Sequence, residues 1–413
     1  MAKQNEEKID YCAQVTTRIL LKEMQKEFKK TKNCNTNILL SPLSFHAVLS
    51  MTAAGATGDT LNQMLRFLGV SDIDDLNSKF LNMTDVLESN SGGLDLSFFN
   101  GMWVAHKHKL RDSFKQLATT LYKTEPRVVD FERKVMVVEE VNLWANIASK
   151  GLITEILEPK HINNKTTVLF VNALYFKGTW NFDQESTIDK DFYLLNGDKI
   201  SVPFMTGCYD YSYGSFEGYQ VAKIPYEIGK KDDKKEFSMF IFLPNKKKGL
   251  PSLLGKVKSD PNFFTQDFRI RYKSLDAFYI PKFKFSYTAM KQVKQTMKEM
   301  GLTLPFSKKC KEITEIVKPK GPFFINRILQ KAFIEVNEKG TEAAAVTVLS
   351  DDDLGFSLYD EIIPLPRFVA DHPFLFMIRE EVSKLVLFTG VVLNPSNDHS
   401  DDISSSDSDS DDY

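Results

Sequence analysis

The chain has 413 residues, of which 42% are apolar and 26% are charged, and its formal net charge is −2. This composition supplies a substantial core and argues against a mostly disordered chain and against a polycationic nucleic-acid binder. The charge is uneven, because residues 396–413 hold seven Asp and no Lys or Arg, which leaves +5 on the first 395 residues. We therefore predict one continuous domain over residues 1–395 and a disordered acidic Ser/Asp tail over residues 396–413.

The first ten residues, MAKQNEEKID, lack the apolar run of a signal peptide, and the longest apolar run, residues 168–176, is too short to span a membrane. Four cysteines, at positions 12, 34, 208 and 310, form no CxxC pair, so neither a zinc knuckle nor a dithiol redox motif is present. These features favour a cytoplasmic or nuclear protein without membrane attachment, with extracellular release by a non-classical route as the alternative.

Two kinds of periodicity alternate along the chain. Helical spacing links Cys12, Val15 and Ile19, and it recurs between residues 290 and 300, where Gly301 is expected to stop the helix. Runs of β-branched and aromatic residues predict strands, and these runs lie at residues 166–176, 237–243, 278–287 and 385–393. Helices crowd the first third of the chain and strands the rest, which predicts an α+β fold.

Catalytic and metal-binding motifs are absent from the sequence. It contains no GxSxG elbow, HExxH, Walker loop or GxGxxG pattern. His106 and His108 would share one face of a strand and could bind a metal, but no further ligand follows at a useful spacing. The basic clusters at residues 230–235 and 246–248 lack interleaved aromatic residues, which favours solvated loops. We expect no cofactor, no metal and no nucleic-acid partner.

One segment, residues 333–368, is unusual for a folded domain. It begins as a strand at Phe333–Val336, continues through small Ala and Thr residues, and then contains Asp351, Asp352 and Asp353 before a Pro-flanked end. In an extended conformation alternate residues 341, 343, 345 and 347 would face one way, and all four are small. An ordinary surface loop is one interpretation. Structureless loops beyond about 15 residues are usually functional or disordered, which favours a segment that can be both exposed and inserted into a sheet.

At this point a resemblance to a known family is evident. EVNEKGTEAAA (residues 335–345) closely resembles the hinge of the serpin reactive-centre loop. Residues 37–60, 141–157, 170–180, 280–288, 368–378 and 387–395 resemble other serpin segments in the same order. The wording FVADHPF, together with the missing signal sequence, looks most like plant serpins.

The resemblance implies the serpin fold, with three β-sheets, eight or nine helices and an exposed reactive-centre loop at about residues 338–367. It also implies a monomeric protease inhibitor that acts as a single-use trap rather than an enzyme. A target serine protease, or a papain-like cysteine protease, cleaves the loop and forms a covalent complex. The loop then inserts into the main sheet and distorts the protease. The alternative is a non-inhibitory serpin-fold binding protein.

By resemblance the scissile bond lies fifteen residues into the loop, which with Gly340 as the first residue places it between Leu354 and Gly355. Leucine before the bond suits proteases with an apolar primary pocket. Cleavage after Asp353 by an aspartate-specific protease is the alternative, and counting back from FVADHPF gives a bond about three residues later. The hinge residues implied by the resemblance are Glu338, Gly340, Thr341, Glu342, Ala343, Ala344 and Ala345.

The resemblance further implies residues that hold the main sheet closed, named the shutter and the breach in this family. Gln330 stands where serpins commonly have a histidine that bonds to the shutter serines, and an amide can also donate and accept. We therefore expect the network to survive with altered opening. The residues implied in this role are Ser41, Ser44, Asn172, Trp180, Gln330 and His372.

Overall fold

The computed structural model describes residues 11–30, 35–87, 94–180, 182, 184–207, 210–226, 235–338, 364–397 and 399–401. These ranges contain eight α-helices and nineteen strands. The helices are α1 (Tyr11–Glu27), α2 (Pro42–Ala53), α3 (Gly58–Leu68), α4 (Ile73–Leu87), α5 (Asp112–Thr120), α6 (Lys134–Ala148), α7 (Leu250–Ser259) and α8 (Lys291–Glu299). No described helix is both long enough and apolar enough to cross a membrane.

The strands fill the chain between and after the helices. They are β1 (Ile38–Leu40), β2 (Leu94–Ala105), β3 (Lys109–Leu110), β4 (Pro126–Val129), β5 (Val168–Thr179), β6 (Ile188–Tyr193), β7 (Lys199–Met205), β8 (Asp210–Phe216), β9 (Tyr219–Pro225), β10 (Phe237–Pro244), β11 (Arg271–Ser274), β12 (Ala277–Pro281), β13 (Phe283–Ala289), β14 (Val317–Lys318), β15 (Arg327–Asn337), β16 (Arg367–Val369), β17 (Phe374–Glu380), β18 (Val386–Val392) and β19 (His399–Asp401).

The described strands form three large sheets and one small ladder. The strand orders are β19-β13-β15-β5-β2-β4, β1-β18-β17-β10-β9-β8-β11, β16-β12-β7-β6 and β14-β3. Every residue of β10, β17 and β18 is buried, which explains why these strands are nearly continuous apolar runs rather than alternating ones. The three large sheets and eight helices confirm the predicted α+β fold.

The six-stranded sheet, called the main sheet below, is covered on both faces. Along β5, residues 169, 171 and 173 pack in one cluster with Val141 and Ala145 of α6, while residues 170, 174 and 176 join the main core. Because side chains alternate along a strand, the same segment feeds two cores. Helix α6 therefore lies across one face of the main sheet, and α2 packs against β5 and β15.

Most of the predicted elements are confirmed. Residues 12, 15 and 19 lie buried on α1, and α8 ends just before Gly301, whose φ of 100° is a conformation that favours glycine. Strand β10 matches its predicted range closely, whereas the run at 278–287 forms two strands, β12 and β13, separated by Lys282. The exposed residues 246–248 lie in a turn region, as expected of a solvated loop.

The expectation of a disordered tail over residues 396–413 stays a prediction. Within the described residues, Asn397 donates to the Asn35 carbonyl at 2.9 Å, and β19 pairs in parallel with β13. The remaining tail, residues 402–413, lies outside the described residues. His106 and His108 lie in a turn, where His106 is exposed and His108 is buried and accepts from the Lys320 amide. Within the described ranges no group of three or more potential ligands could hold a metal ion.

Helix α2 carries a buried histidine that makes stability depend on pH. Burial, with a smaller contribution from the Lys79 charge, lowers the pKa of His46 from 6.5 to about 3. The folded state therefore binds fewer protons than the unfolded state, and stability falls as pH decreases from 6.5 towards 3. At pH 5 the loss is up to about 2 kcal/mol, at about 1.4 kcal/mol per pH unit.

The test replaces His46 with glutamine, which can still hydrogen bond with Ser50, the partner of His46 Nδ1 at 3.1 Å. We expect His46→Gln to reduce the fall in the thermal unfolding midpoint between pH 7 and pH 5. Equal pH dependence in both proteins would refute this role for His46. His108, whose pKa burial lowers to about 4, remains in both proteins and supplies the shared background.

Candidate functional site

The candidate site is the boundary between the two central strands of the main sheet. Strands β5 and β15 run parallel and pair over eleven residues, from Arg327 opposite Leu169 to Asn337 opposite Thr179. They are joined by a long stretch of chain rather than a short turn, as parallel neighbours must be. Because β5 and β15 pair directly, the sheet is closed at the position where a further strand could enter. The hinge segment follows directly from the end of β15.

The four predicted shutter residues come from α2 and these two strands. Ser41 caps α2, where its Oγ accepts from the Ser44 amide at 3.4 Å, and both serines are fully buried. Asn172 on β5 lies directly opposite Gln330 on β15, and both side chains are buried. Asn172 Nδ2 donates to Asn100 Oδ1 at 2.7 Å, which also ties β5 to β2. Because α2 packs against β5 and β15, the predicted shutter residues lie on neighbouring elements.

The hydrogen-bond network expected through Gln330 is not formed. Neither Gln330 Nε2 nor Gln330 Oε1 has a hydrogen-bond partner in the described part of the chain, and the same holds for Ser44 Oγ. The expectation that glutamine would replace histidine in bonding the serines is therefore wrong for this closed state. The strands are held together here by their backbone pairing and by packing, without a side-chain bond between Gln330 and the serines.

Trp180 lies immediately after β5, at the end of the sheet where the hinge begins. Its ring stacks on Tyr226, with centroids 5.3 Å apart and an interplanar angle of 21°, and meets Phe182 edge-on. Tyr226 in turn contacts Phe176 of β5 edge-on at 4.9 Å. This aromatic cluster is buried at the end of β5, and the role of Trp180 in holding the sheet closed stays a prediction.

Glu338, the first hinge residue, is fixed by two partners. Its side chain is only 2% exposed, and it accepts hydrogen bonds from Lys282 Nζ and Thr187 Oγ1. Lys282 sits between β12 and β13, so this pair ties the base of the loop to the start of the neighbouring strand β13. Burial acts to raise the pKa of Glu338, but the hydrogen bonds from Lys282 and Thr187 outweigh it and hold the pKa below its ordinary value.

Replacing Glu338 with glutamine tests the strength of this attachment. Removing the charge weakens two hydrogen bonds to a buried group, so we expect a loss of about 1.5–3 kcal/mol of native stability at pH 7. Since the folded pKa lies below the ordinary 4.5, the stabilisation is present above pH 4.5 and disappears as pH falls through the folded pKa. Thermal unfolding of both proteins at pH 7 and pH 4 measures the difference and its decline.

The matched control is Glu335→Gln on the same strand. Glu335 faces Lys284 at 3.9 Å, and the Lys284 side chain is 54% exposed, so this pair should contribute under about 1 kcal/mol. Equal losses of stability in the two variants would show that Glu338 contributes no more than an exposed ion pair does.

His372 lies apart from the shutter. Its Nδ1 is 2.7 Å from Asp371 Oδ1 and its Nε2 is 2.8 Å from the Pro244 carbonyl oxygen at the end of β10. The Asp371 carbonyl accepts from the Tyr193 amide on β6. His372 therefore joins the seven-stranded sheet to the four-stranded sheet just after β16, where the loop segment re-enters the fold.

The remaining predicted site residues fall outside the described ranges. They are Gly340, Thr341, Glu342, Ala343, Ala344, Ala345, Leu354 and Gly355. The loop's two ends are described: Glu338 follows β15, and Arg367 begins β16, which pairs in parallel with β12. Sequence reasoning missed Lys282 and Thr187 as partners of Glu338, because both are more than fifty residues from it and no local pattern shows which residues the fold brings to the hinge.

The comparisons with known proteins agree with this architecture. The family model "Serpin (serine protease inhibitor)" matches residues 19–395. Serpin-ZX of Arabidopsis thaliana is 39% identical over 373 residues, which cover 88% of this chain and 94% of that protein. Serpin-Z2B of Triticum aestivum is 39% identical, with 87% and 90% covered.

Solved structures give the same result. AtSerpin1 of Arabidopsis, in its native stressed conformation, superimposes with a TM-score of 0.81 at 36% identity and covers 96% of this chain and 100% of that one. Uncleaved ovalbumin, at 21% identity and a TM-score of 0.76, shares the fold. A family match over most of the length, relatives near 39% identity and the closed six-stranded sheet lead to one conclusion: the chain belongs to the serpin family.

Proposed function

We propose that this protein inhibits proteases as a suicide substrate, trapping a serine or papain-like cysteine endopeptidase by loop cleavage and insertion into the main sheet. The observation that carries the proposal is the parallel pairing of β5 and β15, with the hinge leaving from the end of β15. A strand that turns back from Asn337 would run antiparallel to β15, and so antiparallel to β5 as well. One parallel pairing would be exchanged for two antiparallel ones, which are slightly more stable per residue.

The hinge composition supports insertion. Thr341, Ala343, Ala345 and Thr347 would face one side of the inserted strand, and their small side chains enter a packed sheet without displacing neighbours. Glu342 and Ala344 would face the other side. The base of the loop is held by Lys282 and Thr187 until insertion begins, so the uninserted state persists behind a barrier.

Leu354 before the bond favours a protease with an apolar primary pocket, and Gly355 would begin the released peptide. The second candidate is cleavage after Asp353 by an aspartate-specific protease, favoured by the three consecutive Asp residues. Non-inhibitory behaviour is the third candidate. Asp351 would face inward on full insertion, which is costly for a carboxylate away from solvent.

We also propose a single domain up to about residue 395, acting as a monomer in the cytoplasm or nucleus, with the target protease as its covalent partner. It would not turn over substrate, and it would need no cofactor.

The test incubates the protein with chymotrypsin-like and papain-like proteases and separates the products on a denaturing gel. The serine protease should form an SDS-stable complex with release of a peptide that starts at Gly355. With the cysteine protease the covalent intermediate is a thiol ester, so inhibition without an SDS-stable band would also support the proposal. Clean cleavage by both enzymes with no lost protease activity would refute inhibition.

A further inference from the structure

Three buried polar side chains lie on the α2 side of the boundary between β5 and β15. Asn172 is directly opposite Gln330, and aligned residues of neighbouring strands point to the same side of a sheet. Phe170 and Leu174 of β5 belong to the main core, so the side chains at positions 172 and 330 point towards that core as well. Helix α2, which carries Ser44 and contributes to the same core, packs against both strands.

These three side chains leave polar atoms unpaired. Ser44 is fully buried, and Asn172 and Gln330 are each only 1% exposed. Within the described part of the chain, Ser44 Oγ, Asn172 Oδ1 and both ends of the Gln330 amide have no hydrogen-bond partner. Native proteins pair nearly all of their buried polar atoms, so this group of unpaired atoms beside one strand boundary needs an explanation.

The Asn172 amide is held away from the boundary. Its Nδ2 donates to Asn100 Oδ1 at 2.7 Å and to the Phe99 carbonyl oxygen at 3.2 Å, and both acceptors belong to β2. Strand β2 pairs with the edge of β5 that faces away from β15. Gln330 therefore lies opposite an amide that is bonded to the other neighbouring strand, and no side-chain bond crosses the boundary at this position.

We propose that Gln330 sets the rate at which the main sheet opens, because its unpaired amide destabilises the closed sheet more than the opened one. A buried polar group without a partner is unfavourable only while it is kept away from water. Separation of β15 from β5 would let water or an entering strand reach the amide. The closed sheet thus stores part of the free energy that insertion releases. The inference rests on the proposed function, in which sheet opening is the step that admits the cleaved loop.

Uptake of a synthetic peptide by the full chain measures opening without a protease. The peptide TEAAAVTVLS has the sequence of residues 341–350, carries a fluorescent label and should enter between β5 and β15. Gln330→Met keeps the length of the side chain and removes both unpaired polar atoms. We expect this variant to take up the peptide at least about five-fold more slowly than the parent. Its thermal unfolding midpoint should be about 2–4 °C higher than that of the parent.

The matched control is Gln220→Met on β9, in the seven-stranded sheet. Gln220 Oε1 is also buried without a hydrogen-bond partner among the described residues, but β9 is not a strand of the main sheet. This control should leave the rate of uptake within about two-fold of the parent, because distant sites act independently. A second test variant, Gln330→His, introduces a ring that can donate to Ser44 Oγ or accept from it, and it should slow uptake as well.

The outcomes separate this role from a general effect on stability. Uptake by Gln330→Met as fast as that of the parent, or equal slowing by Gln220→Met, would overturn the proposal, and so would a parent that takes up no peptide. If Gln330→Met does not fold, the rate of uptake by Gln330→His decides alone. Trapping of a protease is measured separately. If the parent traps no protease but the uptake rates differ as expected, the proposed inhibition fails and the role of Gln330 stands.

Discussion

Replacing Ala343 with glutamate is expected to abolish the covalent complex and to convert the inhibitor into a substrate. In the inserted strand Ala343 would face the same side as Thr341 and Ala345, between β5 and β15. A carboxylate buried there without a partner costs several kcal/mol, which delays insertion while the acyl-enzyme hydrolyses. The measurement is the ratio of complex to cleaved inhibitor on a denaturing gel, which should fall at least ten-fold.

The control for Ala343→Glu is Ala344→Glu, one residue further along. Ala344 would face the opposite side, next to Glu342, which already carries a carboxylate. Because the side-chain period of a strand is two, this variant should retain most of the complex. If the two variants behaved alike, insertion as a regular strand would not be the step that traps the protease.

Replacing Leu354 with arginine is expected to change the class of protease that is trapped. A chymotrypsin-like pocket excludes a charged guanidinium, so the rate of inhibition of such an enzyme should fall by about 100-fold or more. A trypsin-like enzyme, whose pocket accepts arginine, should now form the complex. Second-order rate constants against both proteases give the two changes in a single set of assays.

The companion variant Asp353→Asn distinguishes the two assignments of the scissile bond. It should leave inhibition of the chymotrypsin-like enzyme within about three-fold of the parent, since the pocket contacts mainly the residue at the bond. If the bond follows Asp353 instead, Asp353→Asn would eliminate inhibition of an aspartate-specific protease and Leu354→Arg would have little effect on it.

Much of the fold is predictable because local patterns and tertiary structure agree. The strand β10 is almost entirely apolar because the sheet that contains it is buried, and Gly301 ends α8 because it adopts a positive φ. The register that places Gln330 opposite Asn172 could not be predicted in this way. It depends on two strands separated by about 150 residues, and no local pattern fixes which residues face each other.

The features that sequence reasoning missed are pairings over long separations. Lys282 bonds to Glu338 only because β13 and β15 are neighbours, and Lys109 faces Lys318 only because two short segments form a ladder. The spacing of His106 and His108 would place both on one face only in a strand, but the chain turns there after β2. The composition of the tail does not show which strand edge it can pair with, so the pairing of β19 with β13 was missed as well.

The most direct test of loop insertion is the thermal unfolding midpoint before and after a single cut in the reactive loop. Cleavage frees the segment after Asn337 to enter between β5 and β15, which adds two antiparallel pairings to the main sheet. In a domain of this size each kcal/mol raises the midpoint by about 1–2 °C, so we predict a rise of more than about 10 °C. An unchanged or lower midpoint in the cleaved protein would contradict insertion, and with it the proposed inhibitory mechanism.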